Sequence, residues 1–455
     1  MTLLPLLPAI DPSAIVADYR QRQISRAEFL SHIFAVAAAM PAGGNVLNLC
    51  SDRYAFAVGL FAAIAKNAVT ILPNSAAPEH IASVSAQYTE LRVLGDRVSP
   101  PLSDLPFIHV DNLLRDCFSS ASTAPATTPT MPMIDYDQII ARVYTSGSTG
   151  APKAHQKTFG RMRRNILAGA ERFWPITGGA CSVIGTTPIR HMYGLESSVL
   201  LPIFGGGRFS SQIPFFPADI AHGLTQMPAP RLLVSTPFHL RKMIESGAPL
   251  PPIAAVLSAT APLPKELAQL LTQTLQCPVL EIYGSTETGQ MATRLPNVDL
   301  TWQTLADVEL VVDGDNTWAH GDVYEEPQLL NDIVELISPS QFQLVDRKTN
   351  IINVAGKRNT LSCLNTAIAQ LPGVVDAVFF MPGRNARSDI ERPAAFVVAP
   401  GVAAADLMSA LRTQIDPVFL PRPLIFVDAL PRDGNGKLQA AALQAMIERH
   451  LPGHL

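Results

Sequence analysis

Ten consecutive positions, Tyr144-Thr-Ser-Gly-Ser-Thr-Gly-Ala-Pro-Lys153, hold four serine or threonine side chains, two glycines and a lysine. Ser146, Ser148 and Thr149 can donate hydroxyl hydrogens to an anion, with Thr145 at the entry. Gly147 and Gly150 let backbone N–H groups close around that anion with no Cβ in the way. Lys153 adds a positive charge at one end. This composition suits a phosphate. The P-loop of ordinary NTPases requires G-x-x-x-x-G-K-[ST]. Here Gly147 and Gly150 are three apart, and Lys153 follows Pro152 and precedes Ala154. A different phosphate-holding loop is therefore expected, its bland rival being a Ser/Gly linker.

Further short stretches carry chemistry. Tyr283-Gly-Ser-Thr-Glu-Thr-Gly289 joins an aromatic ring, hydroxyls and one carboxylate at the end of a strand-like run. Ser258-Ala-Thr-Ala-Pro262 follows another such run. Asp332 lies in Leu330-Asn-Asp-Ile-Val-Glu-Leu336, and a carboxylate there can accept two hydroxyl hydrogens. Val345 to Arg358 mixes charged residues with Gly356, and Pro431-Arg-Asp-Gly-Asn-Gly-Lys437 projects Lys437 from a glycine turn. His191-Met-Tyr-Gly194 follows Thr187-Pro188. Each has an ordinary reading too: a carboxylate or lysine in a turn is usually solvated, and a lone histidine is usually a buried hydrogen-bonded side chain.

The elements that must hold these groups read as α/β. Asn45–Leu49 is expected as a strand, Ser51 or Asp52 as the cap of a helix through Ala65, and Val69–Leu72 as the next strand. Pro78 opens another helix and Leu91–Leu94 another strand. The alternation returns with strands at Arg231–Val234, Ile253–Leu257 and Val279–Tyr283, and helices from Thr236 and Pro264. Such β-α-β order implies a parallel sheet covered by helices. Ligands of such folds bind at the carboxyl edge of the strands, where Tyr283 falls. Ser119 to Met133 reads as a surface connection. After about Arg347 a small α+β unit is expected: helices at Leu364–Ala369, Ala405–Ile415 and Gln439–Arg449, strands at Ala377–Phe380 and Ala394–Val398.

Bulk properties narrow the function classes. A chain of 455 residues exceeds one compact core. A net charge of −4 without long basic runs argues against nucleic acid as a partner. The apolar run Tyr54 to Ala65 is too short to span a bilayer, and the N-terminus lacks the charged region of a signal peptide. Five scattered cysteines form no C-x-x-C pair. A cytoplasmic enzyme without a transmembrane segment is expected.

The Tyr144–Lys153 loop resembles the signature of the adenylate-forming superfamily, which includes acyl- and aryl-CoA synthetases, peptide-synthetase adenylation domains and firefly luciferase. The stretches at 283–289, 346–358 and 431–437 occur in the order that family requires. The resemblance implies a large N-terminal domain, residues 1–346, of parallel-rich sheets layered with helices. A mobile C-terminal α+β domain, 347–455, would be joined to it by a hinge. It implies that Thr145, Ser146, Gly147, Ser148, Gly150 and Lys153 hold the ATP phosphates, with Thr149 catalytic. Tyr283 would stack on adenine, Thr286 bond a phosphate oxygen, and Glu287 act in catalysis and hold Mg²⁺. Ser258 would border the adenine, in a loop where the family usually has glycines in place of Ala259 and Thr260. Asp332 would bind the ribose hydroxyls, without the Thr-Gly that usually precedes it. Arg347 would contact phosphates, Gly356 leave room for a pantetheine arm, and Thr349 stand where the pivot is usually Asp or Lys. His191, Tyr193 and Gly284 would line the acyl pocket, and Lys437 would bridge the substrate carboxylate and the α-phosphate.

The activity so implied is a two-step ligation. A carboxylic acid and ATP give an acyl-adenylate and pyrophosphate, and a thiol then takes the acyl group. No Gly-Gly-x-Ser carrier motif is present in a helical context, so the thiol, from CoA or the phosphopantetheine of a separate acyl-carrier protein, is expected in trans. The short region before the loop resembles ligases of aryl-polyene and xanthomonadin pigment clusters, favouring a hydroxybenzoate-like acid. A medium- or long-chain fatty acyl ligase is the rival within the class. A catalytically inactive nucleotide-binding scaffold is the rival outside it.

Overall fold

The computed structural model describes residues 2–73, 78–96, 104–119, 130–145, 153–314, 316–347, 351–354, 357–382, 392–432 and 438–451. The chain divides into two compact units. One comprises residues 1–311, 318–328 and 338–341; the other comprises 312–317, 329–337 and 342–455.

Two sheets dominate the first unit. The smaller runs in the order Lys153–Thr158, Ile139–Thr145, Val69–Leu72, Asn45–Asn48, Leu91–Gly95, Phe107–His109. Its strands are parallel except the first, which pairs antiparallel with Ile139–Thr145 and forms a hairpin. In the larger sheet Val279–Ser285, Ala255–Ser258, Arg231–Ser235, Ser182–Gly185, Arg208–Ser210 and Ile15–Tyr19 lie side by side and parallel. Antiparallel strands extend it at both ends: Gly289–Arg294 and Trp302–Thr304 beyond Val279–Ser285, and Arg22–Ser25 beyond Ile15–Tyr19. The expected α/β class is what the chain adopts. Boundaries move by one to three residues; Ala255–Ser258 begins two residues later than anticipated, and Val279–Ser285 runs on through Tyr283 and Gly284.

The helix Arg53–Ala65 explains the most apolar run of the sequence. Asp52 caps it, accepting from the Tyr54 and Ala55 N–H groups, and every residue from Arg53 to Ile64 is buried. It belongs to the main core with Phe29, Ile33, Phe204 and Phe209. Burying each such aromatic or branched side chain contributes about 1.5–3 kcal/mol. Among the described residues no helix is long and apolar enough to cross a membrane.

His32 faces the same core. It is 5% exposed, its Nδ1 lies 2.6 Å from the Tyr54 hydroxyl, and its ring meets Phe118 edge-on. Burial depresses its pKa to about 4, only partly opposed by Glu28. The unfolded chain therefore takes up a proton near pH 6.5 that the folded chain refuses until about pH 4. Stability should be full above pH 6.5 and fall by roughly 2–3 kcal/mol as the pH drops to 4. Urea denaturation at both pH values should show this loss reduced in His32→Gln; an unchanged slope would refute it.

The second unit has its own core. Strands Asp376–Phe380, Ala394–Val398 and Leu424–Phe426 form a sheet, with helices Leu361–Ala369, Ala404–Gln414 and Ala440–His450. Its centre is built of Leu364, Ile368, Phe379, Val397 and Leu411. Thr360 caps the first helix one turn earlier than expected, accepting from the Cys363 N–H.

Candidate active site

Four neighbouring parallel strands of the larger sheet, ending at Gly185, Ser235, Ser258 and Ser285, share one carboxyl edge. Thr186 Oγ1 and Ser235 Oγ are 2.9 Å apart there, and buried Ser258 sits beside Ser235 in register. The Ser258 hydroxyl has no hydrogen-bond partner among the described residues. Tyr193 anchors this edge: its hydroxyl donates to the Ser235 and Leu257 carbonyls at 3.1 and 2.8 Å, so one ring ties two strand ends. His191 is exposed and precedes the helix Met192–Leu195. Just past Ser258, Thr260 holds a φ of +78°, a conformation that favours glycine. The backbone keeps a glycine-like turn there although the side chain is threonine.

Tyr283 is half-buried on the last parallel strand, its ring 5.5 Å from Trp302. Trp302 is backed by the Arg294 guanidinium at 4.5 Å, and Arg294 pairs with buried Glu281 at 2.7 Å. The two rings meet at a tilt of 52°, so Trp302 packs against Tyr283 from the side. Gly284 has no room for a side chain, since a Cβ would lie 2.1 Å from the Gly289 carbonyl oxygen. The turn between is closed by its own hydroxyls. The Ser285 N–H donates to Thr288 Oγ1 at 3.0 Å, and the Thr288 N–H donates to Ser285 Oγ at 3.2 Å. Thr286 is half-buried at its head.

Glu287 projects from this turn with its side chain one-third exposed. Burial alone would raise its pKa. Its own backbone N–H, the Ser285 hydroxyl, His155 and Lys157 outweigh burial and hold it below the usual glutamate value. His155 Nε2 is 3.5 Å from Glu287 Oε1, and Lys157 Nζ donates to the Glu287 carbonyl at 2.8 Å. Both basic residues come from the strand Lys153–Thr158, where Lys153, His155 and Lys157 alternate onto one face. The hairpin that carries the hydroxyl-rich loop thus meets the turn that carries Glu287. Sequence reading missed His155 and Lys157. The K-x-H-x-K spacing at 153–157 was the signal, a period of two that puts three basic groups on one side of a strand.

Glu196 was also missed. It lies fully buried in the helical stretch after His191, accepts from the Gln290 N–H at 3.1 Å, and has its pKa raised by burial to about 7. Lys157 moves the other way, burial lowering its pKa against the attraction of Glu196 and Glu287.

Other expected site residues fall elsewhere. Ser146, Gly147, Ser148, Thr149, Gly150, Thr349, Gly356 and Lys437 lie outside the described residues, as do the side chains of Thr145 and Arg347. The backbone of the phosphate loop is bracketed, because Lys153 pairs with Thr145 across the hairpin. In the second unit, Asp332 opens the strand Asp332–Ser338. There too Arg432 makes a two-pronged ion pair with Asp376 and bridges to Leu438, fixing both flanks of residues 433–437.

Residues 9–315 match the AMP-binding enzyme family, and residues 364–437 match the AMP-binding enzyme C-terminal domain. The chain belongs to this family of adenylate-forming enzymes and is an AMP-forming acid ligase. It is 28% identical over 300 residues to a 4-coumarate–CoA ligase of Rhodobacter capsulatus, covering 64% of this chain and 73% of that one. A long-chain-fatty-acid–CoA ligase of Bacillus subtilis is 24% identical over 77% of this chain and 70% of its own length. The fold is similar to that of o-succinylbenzoate CoA synthetase from Bacillus subtilis in complex with an acyl-adenylate intermediate. That similarity has a TM-score of 0.83 at 19% identity, covering 98% of this chain and 99% of the other.

Proposed function

We propose that this enzyme activates an aryl carboxylic acid of the hydroxybenzoate type as its acyl-adenylate and passes the acyl group to a thiol. The acceptor is CoA or a separate carrier protein's phosphopantetheine. The observation that carries the reading is the meeting of the Lys153–Thr158 strand with the Glu287 turn. Basic groups and one ionised carboxylate converge there, a grouping suited to a nucleotide's phosphates. The aryl preference is supported by similarity to a 4-coumarate–CoA ligase.

Attack of a carboxylate on the α-phosphate brings two anions together, so rate depends on groups aimed at the developing charge. The hydroxyls and backbone N–H groups of residues 145–150, with Lys153, hold the β- and γ-phosphates. Thr286 bonds a phosphate oxygen and Tyr283 stacks on adenine. Ser258 borders the adenine, and Asp332 accepts from the ribose hydroxyls. Glu287 fits Mg²⁺, which is held by one or two carboxylates plus substrate phosphates: its carboxyl is ionised and one-third exposed. When bound, that ion neutralises phosphate charge. Lys437 bridges the substrate carboxylate and the α-phosphate, with His191, Tyr193 and Gly284 bordering the acid. Residues 1–346 and 347–455 then alternate about a hinge following Asp346, with Arg347 at the phosphates and Gly356 beside the entering thiol. The protein works in the cytoplasm.

Carboxylate-dependent ATP–pyrophosphate exchange over an acid panel tests this. 4-Hydroxybenzoate should exceed octanoate by at least about tenfold, a difference of some 1.4 kcal/mol in transition-state binding. A preference for octanoate would favour the fatty acyl reading, which the Bacillus subtilis relative supports. No exchange with any acid would favour an inactive scaffold.

A further inference from the structure

The turn that carries Glu287 is tied down from its buried side at two backbone points. Lys157 Nζ donates to the Glu287 carbonyl at 2.8 Å. Three residues later the Gln290 N–H donates to Glu196 Oε2 at 3.1 Å. Between them Gly289 has a φ of +67°, and a Cβ there would lie 2.5 Å from Glu196 Oε1. The turn therefore rests directly on the Glu196 carboxylate. Glu196 is 2% exposed, and its Oε1 has no hydrogen-bond partner among the described residues. Asn165 and Gln290 brace the same layer, each side-chain amide donating to the other's backbone carbonyl at 2.8 and 3.1 Å.

Such an arrangement is costly to keep. Burying a carboxylate and half-burying an ammonium removes hydration that their attraction only partly restores, and apolar replacements of similar volume are often no less stable. A buried carboxylate and a half-buried ammonium that each touch one turn have a geometric consequence that an apolar pair would lack. They fix where the carboxylate borne by that turn points.

We propose that Lys157 and Glu196 are positioning residues that set the orientation of the Glu287 carboxylate toward the metal–nucleotide complex. This rests on the reading of Glu287 as the metal-holding residue. Residues that orient a metal's ligands typically change affinity by 10–100-fold when removed.

The test uses the full-length protein and a non-hydrolysable nucleotide, α,β-methylene-ATP, its binding followed by calorimetry over a series of MgCl₂ concentrations and in EDTA. Glu287→Gln is the reference and should raise the Mg²⁺ concentration for half-maximal binding. Lys157→Met should raise it about tenfold, and Lys157→Arg, which keeps a donor, should recover part of the shift. Glu196→Gln should shift it less than Glu196→Leu, because the amide oxygen can still accept from Gln290. The double variant Lys157→Met/Glu196→Leu removes both charges together. It should melt close to the parent and still show the Mg²⁺ shift, separating positioning from unfolding. If Glu287→Gln shifts the Mg²⁺ requirement while the Lys157 and Glu196 variants weaken binding equally in MgCl₂ and EDTA, the positioning role is overturned. If Glu287→Gln itself causes no shift, the metal-holding reading fails and the positioning role falls with it.

Discussion

Replacing Lys437 by alanine is expected to slow acyl-adenylate formation by roughly 10²–10⁴-fold. Transfer of the acyl group from a supplied adenylate to CoA should survive. The asymmetry follows from charge. In the first step a carboxylate must reach an α-phosphate that is also negative, and a single ammonium between them offsets the repulsion. In the second step a neutral acyl centre meets a thiol, and no such bridge is needed. The residues on either side of 433–437 are held in the second unit by the Arg432–Asp376 pair and the Arg432–Leu438 bridge. Alanine at position 437 should therefore remove the charge and leave its support standing. Measured half-reactions that fall by the same factor would refute alternation between two arrangements of the domains.

Arg53→Met is expected to cost about 3–5 kcal/mol of stability. Arg53 is fully buried, and burial depresses its pKa to about 10. Its guanidinium donates to the Ser210 carbonyl at 2.6 Å, the Gln212 carbonyl at 2.5 Å and the Gly185 carbonyl at 2.7 Å. Gly185 and Ser210 end two neighbouring strands of the larger sheet, while Arg53 opens the helix that follows Asn45–Asn48 of the smaller one. One side chain thus joins the two sheets just below the edge where Thr186 and Ser235 stand. Methionine fills a similar volume but leaves the buried Ser210 and Gly185 carbonyls, and the part-buried Gln212 carbonyl, without that donor. Urea denaturation near neutral pH should show the loss; a change under about 1 kcal/mol would mean that water or neighbours satisfy those carbonyls.

What the sequence reveals depends on how local the cause is. The helix Arg53–Ala65 and the strands at 45–48, 69–72 and 231–235 are legible because apolar runs and an Asp cap act within a few residues. The family is legible because its motifs are short and ordered. The strand Lys153–Thr158 is not: Lys-Ala-His-Gln-Lys-Thr has no apolar alternation, and it extends only because Ile139–Thr145 offers it a ladder. Gly284 and Ser285 read as a loop after the strand ending at Tyr283, yet Gly289–Arg294 pairs with them and prolongs the strand. Lys157 and Glu287 are separated by 130 positions, so nothing local announces their contact. Glu196 looks like a stray acid in an apolar helix until the fold brings the Gln290 N–H to it.

The most direct measurement is a crystal structure with a non-hydrolysable acyl-AMP mimic that matches the preferred acid. The mimic should lie at the carboxyl edge of the larger sheet, its adenine against Tyr283 and its phosphate beside Thr286. A mimic seated away from both Tyr283 and Thr286, or absent from a saturated crystal, would contradict adenylation at this site.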